Sequence, residues 1–246
     1  MTPKVSFLIP VKNESANLKI ILQILEATIE IPSEILVVYD SPEDDSIPVV
    51  QHLQKKYENI YLIHNTLGRG VSFAIRSGCN HAQGQFVLVI AADDSGPVLA
   101  VSEMVALMEQ GCDLVSATRY AKGGRAYGGA VLSRILSKSA NRLFHLFGGS
   151  VLTDATVGIK MFRPDIFEKI KIESKVGWSI AFELSIKTQL LGLKLGEVPI
   201  VSINRFYGGK SSFKPVPWIL EYSKLFIWGL IHIYQQKLFK KSYSSL

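Results

Sequence analysis

Two carboxylates, Asp93 and Asp94, stand side by side in the stretch QFVLVIAADDSGPV, just after the apolar run Phe86 to Ile90. At the end of a buried segment, such a pair offers hard oxygen donors to a divalent cation, with a ligand's phosphates completing the shell. One of them could equally cap the helix expected to begin near Val98. The pair alone leaves both readings open. A second chemistry follows it. From Leu114 to Thr153 there is no Asp or Glu, yet Arg119, Lys122, Arg125, Arg134, Lys138 and Arg142 all fall there. That pattern suits an anionic partner, whether phosphate, lipid head group or nucleic acid, or else a solvated basic face.

Two glycine-rich stretches invite phosphate chemistry and are weighed against their context. In LGRGVSFA, Gly68, Gly70 and Ala74 are spaced like a dinucleotide fingerprint, with Asp93 about 20 residues on. That fingerprint belongs after the first strand of its unit, whereas this one follows the third. GGKSS at 208–212 is not a P-loop, because Asn204 occupies the position of the first glycine and Pro215 interrupts the following helix.

Strand-like and helical runs alternate through the first half and would position these groups. VSFLIPV leads to ANLKIILQILEATI, EILVVYD to IPVVQHLQKKYE, IYLIHN to VSFAIRSGCNHA, and QFVLVIAAD to VLAVSEMVALMEQG. Repeated βα wiring predicts an α/β fold with a doubly wound, mostly parallel sheet and helices on both faces. Ligands of such sheets bind beyond the carboxyl ends of the strands. Lys12 to Glu14, Asp40, and Asp93 with Asp94 all lie at such ends. Further on, AVLSRILSKSANRLFHLF places Leu132, Ile135, Leu136, Leu143 and Phe147 near helical spacing, and Arg134, Lys138 and Arg142 at i, i+4, i+8. The expectation is a helix with one apolar face and one basic stripe.

Composition sets the remaining bounds. With 48% apolar and 20% charged residues in 246, the chain is globular and able to bury a sizeable core. Cys79 and Cys112 form no CxxC and have no histidine pattern nearby, which argues against a zinc site or disulfide framework and fits a reducing cytosol. The start, MTPKVSFLIP, goes straight into a strand-like run, so no signal peptide is expected. LFIWGLIHIY at 225–234 is shorter than the roughly 20 residues a bilayer span needs. Trp228 and Tyr234, followed by Lys237, Lys240 and Lys241, suit a helix lying in a membrane interface. Packing of that helix on the chain's own core fits the pattern as well.

Taken in order, these segments resemble family 2 glycosyltransferases, in particular those similar to dolichol-phosphate mannose synthase. The likeness runs from about Val5 to about Lys214. FLIPVKNESANL is similar to the family's IPxxNExxNL, EILVVYDSPEDDS to VVDDxSxDxT, and LGRGVSFAIRSGCNHAQG to GxGxAxxxGxxxAxG. AADDSGP sits where the family has its DxD segment, and ATRYAKGG, DATVGIKMF and EVPIVSINRFYGGKSSFK follow in the family's order. The departures are Ala91 for the first Asp of DxD, Tyr39 for the first Asp of the preceding motif, Lys160 for the usual Arg, and Lys210-Ser211 for Ser-Lys.

The resemblance implies a GT-A fold, with one domain over 1–215 and an amphipathic helix over 216–246. Residues 1–115 would bind a nucleotide-sugar and 116–215 the acceptor. Pro10, Glu14, Asp40 and Gly70 would line the donor pocket, and Asp93 would hold Mg²⁺ or Mn²⁺ on the donor diphosphate. Asp94 would stand in for the missing acid at Ala91. Arg119 and Arg134 would act on phosphates in catalysis, and Arg134, Ser137, Lys138, Arg205 and Lys210 would bind the acceptor phosphate. The implied activity is inverting transfer from a GDP- or UDP-sugar to a polyprenyl phosphate, by a cytoplasmic enzyme held peripherally on the membrane, with no nucleic acid partner. Two alternatives remain at this point. One is a sugar-hydroxyl acceptor with Glu183 as general base, and the other is a nucleotide-sugar-binding relative with weakened catalysis.

Overall fold

The computed structural model of the chain describes residues 2–128, 131–203 and 215–243. The first four βα repeats form as the sequence pattern predicts. They are β1 (Val5–Val11), α1 (Ser15–Thr28), β2 (Ser33–Tyr39), α2 (Ser46–Leu53), β3 (Ile60–His64), α3 (Val71–His81) and β4 (Phe86–Val89), then a 3-10 turn (Gly96–Ala100) and α4 (Val101–Glu109). β1, β2 and β4 are continuous apolar runs because both faces are covered by helices. After β5 (Leu114–Thr118) come β6 (Arg125–Tyr127), α5 (Val131–Gly148), β7 (Lys160–Phe162), α6 (Ile166–Lys169), α7 (Ser179–Leu190), β8 (Leu195–Pro199), β9 (Val201–Ile203) and α8 (Pro215–Tyr243).

Seven strands form one sheet in the order β3-β2-β1-β4-β7-β5-β8, and β6 pairs with β9 in a small parallel sheet at its edge. All pairings in the large sheet are parallel except those of β7, which runs antiparallel between β4 and β5. The expected parallel sheet therefore carries one reversed strand, and β6 forms inside what the sequence suggests is only a glycine-rich loop. The chain leaves β1 toward β2 on one side, while β4 lies on the other. That arrangement creates the switch-point crevice in which ligands of open α/β sheets bind.

Two cores lie on opposite faces of the sheet. One packs Leu18, Leu22 and Leu25 of α1 and Met104 and Met108 of α4 against β1 and β4. The other packs Ala74 and Ile75 of α3 and Ile180 and Leu184 of α7 against the reverse face. A third cluster joins α5, α7 and α8 through Phe144, Phe182, Ile186, Leu225 and Ile233. α8 thus docks on the domain, as the core-packing reading of 225–234 expects. Trp228 is half-buried and packs against this third cluster, whereas Tyr234 is exposed.

α5 is oriented against its own apolar pattern. Ile135, Leu136, Leu143, Leu146 and Phe147 are exposed, while Ser137, Asn141 and Phe144 face inward. Arg134 is half-buried on the inner side, and Lys138 and Arg142 are exposed. The three cations expected to form one stripe are therefore divided between two faces. Phe144 holds the helix through edge contacts with Phe182 (5.0 Å between centroids) and Phe226 (5.8 Å). Truncating Phe144 to Ala should cost about 3–5 kcal/mol of stability, as for other buried Phe residues. Phe147→Ala should stay within about 0.5 kcal/mol, as surface changes do. Urea unfolding of the two variants measures the difference.

Candidate active site

The loops beyond β1, β2 and β4 are tied together by acids whose main role is to satisfy backbone amides. After β1, Asn13 adopts a left-handed conformation (φ 55°), and its N–H donates to both oxygens of Asp44 at 3.1 Å. The Glu14 and Ser15 amides, at the open N-terminus of α1, donate to Ser46 Oγ (3.0 Å) and Asp45 Oδ1 (3.1 Å). The segment after β2 thus caps α1 from outside. Pro10 is half-buried near the end of β1, and the Glu14 carboxylate accepts from Asn17 Nδ2 at 2.9 Å.

Asp40 lies at the end of β2 and braces the glycine loop. It accepts from Asn65 Nδ2 and from the Gly70 N–H, each at 2.7 Å. Gly70 needs its missing side chain, because φ is 111° where the chain turns into α3. Asp40 and Gly70 are therefore brought together at the carboxyl edge, where the sequence places the donor pocket.

Asp93 and Asp94, side by side in sequence, take different roles. Asp94 is buried. Its Oδ1 accepts from the Gly96 N–H (3.0 Å) and the Ile203 N–H (3.2 Å), and its Oδ2 from Ser202 Oγ (2.5 Å). It caps the 3-10 turn and pins β9 to it, so the expectation that Asp94 replaces the missing acid at Ala91 gives way to a structural clamp. The approach is so close that a Cβ on Gly96 would lie 2.0 Å from the Val201 carbonyl oxygen. Asp93 is half-exposed and, with Asn17, Ile20, Ala92, Ser95 and Ile203, lines a groove of about 200 Å³ between α1 and this turn.

Among the described residues, no three His, Cys, Asp or Glu side chains cluster as a metal cage. A single carboxylate at a strand end still fits Mg²⁺ or Mn²⁺. Mg²⁺ is commonly held by one or two carboxylates, with substrate phosphates and water supplying the remaining oxygens.

A second polar centre is built where β5 ends. Arg119 Nε and Nη2 donate to Asp154 Oδ2 (2.6 Å) and Oδ1 (3.0 Å), a bidentate pair whose carboxylate is wholly buried. Nη2 also reaches Ser137 Oγ at 3.4 Å, and Tyr120 donates its hydroxyl to the same oxygen at 3.0 Å. Asn141 Nδ2 donates to Thr156 Oγ1 (2.7 Å) and Asp154 Oδ1 (3.3 Å), and its Oδ1 accepts from the Ala155 N–H (2.8 Å). Burial works to lower the Arg119 pKa, but the charge and hydrogen bonds of Asp154 outweigh it and raise the pKa. Burial raises that of Tyr120. Arg134 Nη1 lies 3.5 Å from the Ala126 carbonyl, at the rim. Arg119, Arg134 and Ser137 are therefore gathered as expected, Lys138 is on the outer surface, and Arg205 and Lys210 lie outside the described residues.

Glu183 is not placed for base catalysis. Its carboxylate is buried, accepts from the Glu173 (2.9 Å) and Ser174 (2.8 Å) amides and pairs with Lys187 at 2.6 Å. Burial raises its pKa, but these partners outweigh that and hold it below the usual carboxylate value. Asp44, Asn141 and Asp154 were not singled out from the sequence. Asp154 nevertheless carried a signal, as the first acid after the acid-free run, and so the obvious partner for one of its cations.

The family model described as "Glycosyl transferase family 2" matches residues 6–171. The chain belongs to this family. It is similar to the dolichol-phosphate mannosyltransferase of Pyrococcus furiosus, 27% identical over 199 residues, or 80% of this chain and 55% of that protein. Dolichyl-phosphate beta-glucosyltransferase ALG5A of Trichomonas vaginalis is 28% identical over 174 residues, or 68% of this chain and 53% of that protein. The chain thus spans about half the length of these two relatives. Glucosyl-3-phosphoglycerate synthase from Mycobacterium tuberculosis, solved with Mn²⁺, UDP and phosphoglyceric acid, superposes with a TM-score of 0.66 at 16% identity, covering 94% of this chain and 78% of that one. The same synthase has been solved with Mg²⁺ and UDP. The shared architecture is the GT-A fold of the family, with the reversed strand β7 inside it.

The two adjacent acids should separate experimentally. Asp94→Ala removes an acceptor shared by two partly buried amides and the Ser202 hydroxyl, at about 1–3 kcal/mol for a buried group that loses its partner, so it should lower the melting temperature by several degrees. Asp93→Asn should leave the melting temperature nearly unchanged. Differential scanning calorimetry of both variants without ligand measures this.

Proposed function

We propose that the chain transfers a sugar from a nucleotide-diphosphate donor to a polyprenyl phosphate at the cytoplasmic face of a membrane, with inversion at the anomeric carbon. The observation that carries this reading is the position of the Arg119–Asp154–Ser137 centre beneath α5. The outer side of α5 exposes Ile135, Leu136, Leu143, Leu146 and Phe147 beside Lys138 and Arg142. The neighbouring α8 exposes Ile219, Leu220, Ile227 and Ile231 with Lys224 and Lys237. A mostly buried arginine in a polar centre, next to an apolar, basic surface, matches a ligand that is a phosphate at one end and hydrocarbon along its length. Among the described residues, no helix is long and apolar enough to cross a bilayer, so attachment through these two faces is peripheral in this reading. The Pyrococcus and Trichomonas relatives, whose names specify dolichol or dolichyl phosphate, support the same acceptor class.

In this reading the donor lies in the crevice between the loops after β1 and β4, with its diphosphate toward Asp93. A divalent ion held there neutralises the charge that develops on the leaving nucleoside diphosphate. Arg119 and Arg134 hold the acceptor phosphate, and one of its oxygens attacks the anomeric carbon. As that C–O bond forms, the bond to the diphosphate breaks and its electron pair leaves with the nucleoside diphosphate. A phosphate monoester is largely ionised at neutral pH, its second pKa being about 6, so no proton has to be removed. The enclosure of Glu183 by Lys187 and two amides is consistent with this. It also speaks against Glu183 as the base that the hydroxyl-acceptor reading calls for.

Three measurements test the proposal. Asp93→Asn should lower the transfer rate by about 10²–10³-fold, comparable with losing one charge-stabilising contact in other enzymes. Arg134→Gln should raise the acceptor KM while leaving donor binding intact. The double change Lys138→Gln/Arg142→Gln should instead weaken flotation with anionic vesicles, because each surface cation contributes about 1 kcal/mol there. An Arg134→Gln variant with unchanged acceptor KM, or wild-type protein that stays off anionic vesicles at low salt, would count against the reading.

A further inference from the structure

The buried lysine on β7 has no place in the chemistry described so far. Lys160 is 1% exposed, and its Nζ donates to Ser116 Oγ at 2.8 Å. That hydroxyl in turn lies 3.4 Å from the Asp154 carbonyl oxygen, so the ammonium sits directly behind the residue that braces Arg119. The charged groups around it come from three elements. Asp154 in the 150–156 loop and Glu197 on β8 attract the ammonium, and Arg119 after β5 repels it. Glu197 is held by Thr153, whose N–H donates to Oε2 at 2.7 Å. From α7, Ser185 approaches by donating to the Ala155 carbonyl at 2.9 Å, while Glu183 is turned away to Lys187.

Lys160 and Arg119 together balance Asp154 and Glu197. With its proton, Lys160 leaves this buried group neutral, and the guanidinium can offer positive potential to an incoming anion. Without the proton the group is net negative, and Asp154 offsets the field of Arg119 with nothing behind it. Opposed charges at this range in a poorly screened interior interact strongly.

We infer that Lys160 is a positioning residue for the Arg119 anion site, acting through Ser116 and Asp154 to set the charge with which that site meets a phosphate. The inference rests on the acceptor reading above and adds to it a group remote from the ligand. Burial, opposed by the two carboxylates, lowers the Lys160 pKa to about 7, which brings its charge change into the neutral range. Anion affinity should therefore fall as pH rises through that value. The sign for stability is the opposite. Between about 7 and the ordinary lysine value the unfolded chain holds the proton that the folded one has lost, so stability attributable to Lys160 rises with pH across that window.

The test compares wild type, Lys160→Met and Lys160→Arg. Methionine fills the site without charge, and arginine stays charged at every pH used. Binding of a short-chain prenyl monophosphate would be followed by calorimetry from pH 6 to 9, alongside a nucleotide-sugar and urea unfolding. The expected result is an approximately tenfold weaker prenyl monophosphate for Lys160→Met at pH 6.5 with unchanged nucleotide-sugar affinity. Lys160→Arg should show no loss of affinity between pH 6.5 and 8.5 where wild type shows one. Wild-type stability should rise with pH relative to Lys160→Met. If wild type binds the prenyl monophosphate and both variants share its affinity and pH profile, Lys160 does not tune the site. If wild type fails to bind it at all, the acceptor reading fails and takes this inference with it. Should Lys160→Met not fold, the Lys160→Arg profile alone decides, a wild-type-like fall overturning the inference.

Discussion

The second half of the chain is organised around one buried ion pair. Asp154 has no exposure and Arg119 little, and removing two charges from water costs several kcal/mol per ion unless their remaining hydrogen-bonding capacity is met. The chain meets it with Ser137, Asn141 and Thr156, and two of these three come from α5. That requirement fixes how α5 must turn. To bring Ser137 and Asn141 to the pair, the helix rotates its polar side inward and leaves five large apolar residues facing out. Phe144, on the inner side, supplies the apolar contact that keeps the helix docked. An exposed apolar helix face next to a buried cation therefore follows from satisfying Asp154. A large exposed apolar face of that kind marks an interaction surface.

Across the carboxyl edge of the sheet the same economy governs the acids. Asp44 caps the turn after β1, Asp40 holds the glycine loop, Asp94 holds the 3-10 turn to β9, Asp154 holds Arg119, and Glu197 holds Thr153. Each satisfies donors that would otherwise be stranded in a crowded, partly dry edge. Asp93 is the half-exposed member of the series that lines a groove. A clustering of carboxylates at strand ends is therefore poor evidence for a metal by itself. Its half-exposed place on that groove is what sets Asp93 apart.

The parts legible in the sequence were those governed by long periodic patterns. The first four βα units could be read because buried parallel strands are continuous apolar runs and their helices span several turns. The placement of Asp40 and Asp93 beyond strand ends followed from that register. β6, β7 and β9 are three residues each, too short to carry a period, and their pairing depends on contacts far away in sequence. The composition of α5 was legible as one apolar face and basic residues, but not which side would meet the protein. Apolar periodicity assigns that face to the core by default, and here Asp154 overrides it. Asp94 was misread for a similar reason: its neighbour in sequence resembles a ligand pair, and its real partners, Ser202 and Ile203, are over a hundred residues away.

These long-range bonds also connect the two halves of the site. Asp94, adjacent to Asp93, fixes Ser202 and Ile203, and β9 pairs in register with β6, Val201 opposite Arg125 and Ile203 opposite Tyr127. The middle residue of β6, Ala126, presents its carbonyl to Arg134 beside the Arg119–Asp154 centre. A continuous path of hydrogen bonds therefore runs from the turn after β4 through a two-stranded ribbon to Arg134. Gly96 permits the path, since any side chain there would collide with the Val201 carbonyl and push the ribbon away. In the proposed reaction the attacking oxygen and the anomeric carbon must be held about 3–3.5 Å apart and aligned, and such near-attack geometry accounts for much of what an enzyme contributes. Tying Arg134 to the turn that carries Asp93 gives the fold a means of fixing that distance before either substrate arrives.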